Sequence, residues 1–187
     1  MKTVWLNTLA WIAAILAAMT LAVATPTESS VMGRLPSLMV TRFDQQAMPL
    51  QAGLSADRTL ALIGFDRSHR ADIESWIKGL CLTRSDAIPW VRMPVLNDPG
   101  DAAGRQAIEE RLRTRYANDP TRASVMPVIT DRAAFSRAAG LSSTDKAYAV
   151  VINRHGEVLA RVEGEYNPEK AQTLRATLED VNPLYGF

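Results

Sequence analysis

The sequence predicts one α/β domain, a mainly parallel sheet with helices on both faces, closed by an antiparallel hairpin and a final helix. Three observations predict it. Short, almost wholly apolar runs of strand length recur from residue 59 onward, the pattern of strands buried on both faces. Between them lie segments whose apolar residues repeat at helical spacing. Near the end, two strand-like runs are joined by the turn Asn153-Arg154-His155-Gly156 instead of a helix, which reads as a hairpin. The order β-α-β-α-β-α-β-β-α follows, and alternation of this kind makes a sheet covered on both sides.

Residues 59–65 form the first buried strand, and Asp66 or Ser68 can cap the helix after it. In that helix Ile73, Trp76, Ile77 and Leu80 make one apolar stripe. A second strand covers 90–96; Pro94 inside it predicts a sheet edge or a bulge, because proline gives no donor to the ladder. After the turn Asn97-Asp98-Pro99-Gly100, a helix over 102–116 places Ile108, Leu112 and Tyr116 on one face. Its other face carries Glu109, Glu110, Arg111, Arg113 and Arg115, and mixed charge of that density reads as solvated helix surface. A third strand spans 125–130, and Asp131 caps a brief helix through Ala139 that Gly140 stops. Residues 148–152 are the strongest strand; the hairpin turn leads to an alternating strand over 157–162. Asn167-Pro168 opens the last helix, with Ala171, Leu174, Leu178 and Val181 on its buried face.

The chain is 187 residues long, 47% hydrophobic and 22% charged, which suits a globular domain with a real core. Its start differs in kind. Lys2 is the only charge before Glu28, and an apolar run from Leu9 ends in Ala22-Val23-Ala24, a small-x-small cleavage pattern. Residues 1–24 are therefore expected to be a signal peptide, with a periplasmic or secreted mature chain starting at Thr25. An uncleaved anchor is the alternative, since the run counted from Val4 reaches about 20 residues, the length of a membrane span. Asn7, Thr8 and Thr20 weaken that alternative, and no twin arginine precedes the run. Residues 25–58, rich in Ser, Thr, Pro, Met and Gln, read as an extended lead-in, with 38–43 able to form a short edge strand. The domain proper is 59–187. Cleavage would remove Lys2 and no acidic residue, leaving equal numbers of basic and acidic side chains. That balance argues against nucleic acid or an anionic membrane as partner after cleavage. Cys81 is alone, so no intramolecular disulfide and no CxxC pair can form.

The segment Pro127-Val128-Ile129-Thr130-Asp131, then Ala138-Ala139-Gly140-Leu141, then residues 151–158 resembles the second half of peroxiredoxin-type thioredoxin folds. The resemblance covers about residues 59–180 and implies a thioredoxin-like architecture. Redox-active members hold a thiolate at the start of the first helix, where free amides and the dipole stabilise it. Here that loop reads Phe65-Asp66-Arg67-Ser68-His69-Arg70, without cysteine, and Ala147 stands where thioredoxins place a cis-proline. The chain is also similar to the mitochondrial ATP synthase assembly-factor family, in Trp76 of the first helix and in the strand and turn from Tyr148 to Gly156. That similarity implies a chaperone-like role toward subunits of a membrane complex.

The candidate site follows from the loop. Arg67, Ser68, His69 and Arg70 could bind an anion over the helix start, or could be a solvated, capped helix end. Cys81 lies at the far end of the same helix and reads as a buried structural thiol, with an exposed reactive or partner-linking thiol as the alternative. His155 reads as an exposed turn residue, and neither histidine has metal-ligand spacing, so neither metal nor cofactor is expected. Trp76 and Trp90 read as packing residues; Glu163 and Glu165 flank Gly164 with no partner legible in the sequence. Three functions stay open: an exported non-redox module that binds another envelope protein, a thiol oxidoreductase or peroxidase using Cys81, and an anion or small-ligand binder at Arg67–Arg70.

Overall fold

The computed structural model describes residues 31–43, 47–54, 56–84 and 87–179; the expected signal peptide and Val181 lie outside these residues. The strands are β1 (Gly33–Arg34), β2 (Met39–Val40), β3 (Met48–Pro49), β4 (Arg58–Gly64), β5 (Trp90–Asn97), β6 (Val128–Thr130), β7 (Tyr148–Asn153) and β8 (Glu157–Glu163). The helices are α1 (Arg70–Gly79), α2 (Ala102–Arg115), α3 (Arg132–Ala138) and α4 (Pro168–Glu179). The main sheet runs β1-β8-β7-β4-β5-β6. Strands β4, β5 and β6 are parallel, while β7, β8 and β1 join antiparallel on the other side of β4.

Alternation along β4 sorts the core into two layers. Ala61 and Ile63 face Met93, Val150, Ile152 and Phe135 of α3. Leu60 and Leu62 face Ile73, Trp76 and Ile77 of α1 together with Ala171 and Leu174 of α4. Helices thus cover both faces, as the apolar runs require, because a strand with apolar side chains on both sides must bury both. The expected stripe of α1 is buried throughout, from Ile73 to Leu80. Trp76 also donates its indole N–H to the Gly164 carbonyl at 2.9 Å and packs edge-on against Tyr166.

Two local expectations change. Pro94 sits in β5, an interior strand, at the point where pairing with β4 ends at Gly64 and just before pairing with β6 begins at Val95. Its missing N–H falls at that handover, which is why an interior strand accepts it. In the lead-in, the strand expected over 38–43 is reduced to Met39–Val40, paired with β3 outside the main sheet. The lead-in supplies core residues, since Leu35, Leu50 and Leu54 are buried and the Leu35 N–H bonds the Gly156 carbonyl. β1 reaches the sheet through a close backbone approach: a Cβ on Gly33 would stand 2.4 Å from the Ala139 carbonyl carbon. Among the described residues no helix is long and apolar enough to cross a membrane.

Candidate functional site

Strand β4 ends at Gly64, and the chain turns outward at the carboxyl end of the parallel strands. Asp66, in extended conformation, starts a 3-10 turn over Arg67–His69 that runs directly into α1. Its carboxylate accepts the Ser68 N–H at 2.9 Å and the Ser68 hydroxyl at 3.0 Å. Those two bonds hold the Asp66 carboxyl below its usual value, against a small opposing effect of burial. The Phe65 peptide is gripped on both sides: its N–H donates to His69 Nδ1 at 3.1 Å, and its carbonyl accepts Arg132 Nη1 at 2.5 Å. This bond to Nδ1 turns the His69 ring inward, toward the backbone behind the turn. His69 is buried by this arrangement.

Beside the turn lies a cavity of about 270 Å³. Arg67 and Arg70 form one side, and Ile108, Arg111, Leu112, Arg115 and Tyr116 of α2 form the other. Strand β5 closes the back with Arg92, Pro94, Val95 and Leu96. A shallow depression between Arg67 and Thr114 adjoins it. Arg92 is a charged side chain in the middle of the sheet, only 4% exposed. Its guanidinium donates to Glu74 Oε1 at 3.0 Å, stands 3.8 Å from Asp119 Oδ2, and lies over the Tyr116 ring at 5.6 Å. For Asp119, burial works against the charged form; bonds from the Thr121 hydroxyl and N–H, then the charges of Arg92 and Arg70, outweigh it and lower its pKa. The buried cation is therefore balanced within the wall.

The rim is different. The side chains of Arg67, Arg111 and Arg115 make no hydrogen bond or ion pair with any described residue. Asp66 is the sole acidic residue lining the cavity, and its carboxylate is occupied by Ser68. Of the four residues expected in the loop, the fold brings Arg67 and Arg70 to the cavity. Ser68 is turned to Asp66, and His69 points inward to the Phe65 peptide. The charged face of α2 is largely exposed, as expected, and part of it also borders the cavity. Arg111 and Arg115 line the cavity, while Glu110 pairs with Arg113 and borders the adjoining depression. Two sequence signals mark the missed residues. Arg92 is the one charge inside the apolar run 90–96, and Arg111 and Arg115 share the helical face of Ile108 and Leu112.

Cys81 is exposed rather than buried. Helix α1 ends in a Schellman turn, with the Leu82 N–H on the Ile77 carbonyl and the Cys81 N–H on the Lys78 carbonyl. Cys81 occupies the left-handed position of that turn, with φ at 54°. Leu80 and Leu82 on either side turn into the core and leave its side chain outside. Among the described residues no cluster of potential metal ligands forms. His155 is exposed in its turn and Trp90 half-buried against the α1 side of the core. Glu163 pairs with Lys146 at 2.5 Å.

No family model matches the chain, and no curated protein matches it in sequence. Solved structures do match it in shape. A proposed electron transfer protein of Aquifex aeolicus VF5 superposes with a TM-score of 0.53 at 14% identity, over 78% of this chain and 97% of that one. BsSco, a member of the Sco family of cytochrome c oxidase assembly proteins, gives 0.51 at 13% identity, over 77% and 91%. A proposed thioredoxin of Neisseria meningitidis gives 0.50 at 16% identity, over 82% and 95%. The chain thus has the thioredoxin-like fold, with one cysteine in its whole sequence and none at the start of α1.

Proposed function

We propose that this chain is an exported, non-redox thioredoxin-fold protein that works by binding, as a recognition or assembly module for another envelope protein. The observation that carries the reading is the loop after β4. Where redox members of this fold keep a thiolate, this chain places Asp66 to Arg70 beside an arginine-rimmed cavity. Its sole thiol stands at the opposite end of α1 in a structural turn. Fold alone does not carry an activity across once the site residues differ. The N-terminal pattern supports export, and the balanced charge of the mature chain supports a protein partner over nucleic acid.

Redox turnover tests the reading. Purified mature protein is assayed for insulin-disulfide reduction and peroxide consumption beside its Cys81→Ser variant. Neither is expected to turn over. Turnover by the parent that vanishes in the variant would make Cys81 a catalytic thiol and overturn the non-redox reading.

A further inference from the structure

We propose that the cavity beside α1 is a binding site for a carboxylate carried on a compact apolar body. The charge pattern comes first. The wall has already neutralised its own buried cation, because Arg92 faces both Glu74 and Asp119. Arg70 adds its charge beside Asp119. Arg67, Arg111 and Arg115 are then in excess: Glu110, the acidic residue beside them in the adjoining depression, is paired with Arg113, and none of the three guanidinium groups has an ion-pair partner among the described residues. Like charges so arranged repel one another, and an anion entering between them relieves that repulsion. Guanidinium groups also match a carboxylate in shape, through two parallel N–H bonds.

The remaining surface selects the rest of the ligand. Ile73, Val95, Leu96, Ile108 and Leu112 form an apolar patch inside the cavity, with Tyr116 as an aromatic side. A strongly hydrated anion alone would leave those walls against water, whereas an apolar body covers them. About 270 Å³ holds roughly nine water molecules, the room needed by one large side chain rather than an extended polymer. The position fits as well, since crevices outside the carboxyl ends of parallel strands are the usual binding places of open α/β sheets. Such a carboxylate is offered by the last residue of a polypeptide or by a free aryl or alkyl acid. The inference deepens the binding reading and rests on it. If the site fails, the redox assays keep their outcome; if the redox assays fail, the affinities measured below are unaffected.

Calorimetric titration of the mature protein distinguishes the possibilities, using acetyl-Leu-Phe with a free carboxylate, the same dipeptide as its amide, and phenylacetate. The free acid is expected to bind at least about tenfold tighter than the amide. The double variant Arg111→Ala/Arg115→Ala, at two exposed helix positions, should weaken the acid about tenfold or more, while Arg113→Ala on the outer face should not. Dipeptide acid tighter than phenylacetate supports the site with a polypeptide terminus as ligand; equal affinities support it with a free acid. Equal binding of acid and amide, unchanged binding by the double variant, or no binding of either acid overturns the proposal.

Discussion

Helix α1 starts beside an arginine-rimmed cavity and ends against the core, and its two termini are built by different means. At the start, a 3-10 turn capped by Asp66 projects Arg67 and Arg70 toward α2, and His69 and Arg132 clamp the Phe65 peptide behind them. At the end, backbone bonds from Cys81 and Leu82 close a Schellman turn, and Leu80 and Leu82 enter the core. The start spends its polar groups on shaping an opening; the finish spends its apolar groups on stability. Between them, Trp76 ties the helix to the loop before α4 through the Gly164 carbonyl. The contrast puts a capped turn with two arginines at the start of α1 and the sole cysteine of the sequence in a backbone-closed turn at its end.

The largest expected effect removes what joins the two ends. Trp76→Ala should cost about 3–5 kcal/mol in urea unfolding, as a fully buried aromatic does. Trp76→Phe keeps an aromatic ring but loses the indole N–H and strands the Gly164 carbonyl, for about 1–3 kcal/mol. A Trp76→Ala variant as stable as the parent would mean that the helix is held from its ends alone.

Next comes the wall behind the cavity. Glu74→Ala removes the nearest partner of the buried Arg92. Glu74 is itself 34% exposed, so screening reduces the loss to about 1–2 kcal/mol. Asp119 should leave a signature in acid. Its carboxyl is lowered from 3.8 in the folded state, so it adds stability above that value and loses it as pH falls through the lower folded value. Asp119→Asn should therefore flatten part of the parent's loss of stability below about pH 4, followed by thermal unfolding across an acid series. An unchanged acid limb would contradict the bonds from Thr121 and the nearby charge of Arg92 that hold this carboxyl down.

The smallest effects concern the far end. A side chain at positive φ costs about 1–2 kcal/mol, so Cys81→Gly should stabilise the protein by about 0.5–1 kcal/mol after glycine's extra freedom in the unfolded chain is counted. Cys81→Ser should be neutral within about 0.5 kcal/mol, because the side chain is exposed. A large loss in Cys81→Ser would show that the sulfur packs after all.

Much of this is legible in the sequence itself. Apolar runs and helical stripes placed the strands and helices from β4 to α4, because burial on two faces leaves a direct mark on sequence. The position of Arg67 and Arg70 followed from the loop after the first buried strand. Other features depend on three dimensions. Leu80 and Leu82 make position 81 look buried, yet a left-handed residue between them turns outward. Arg111 and Arg115 lie in a run of mixed charge, and although they share the helical face of Ile108 and Leu112, the cavity that this face borders is formed only in the fold. Leu35 and Leu50 belong to a stretch without periodicity, so its contribution to the core had no pattern to announce it.

The most direct measurement is a residue-resolved NMR titration of the mature protein with acetyl-Leu-Phe. Amide and arginine side-chain signals at residues 66–70 and 111–116 should move together and saturate, while those at 77–84 stay in place. Signals that move at the Cys81 end instead, or at both ends alike, would contradict the division of labour along α1.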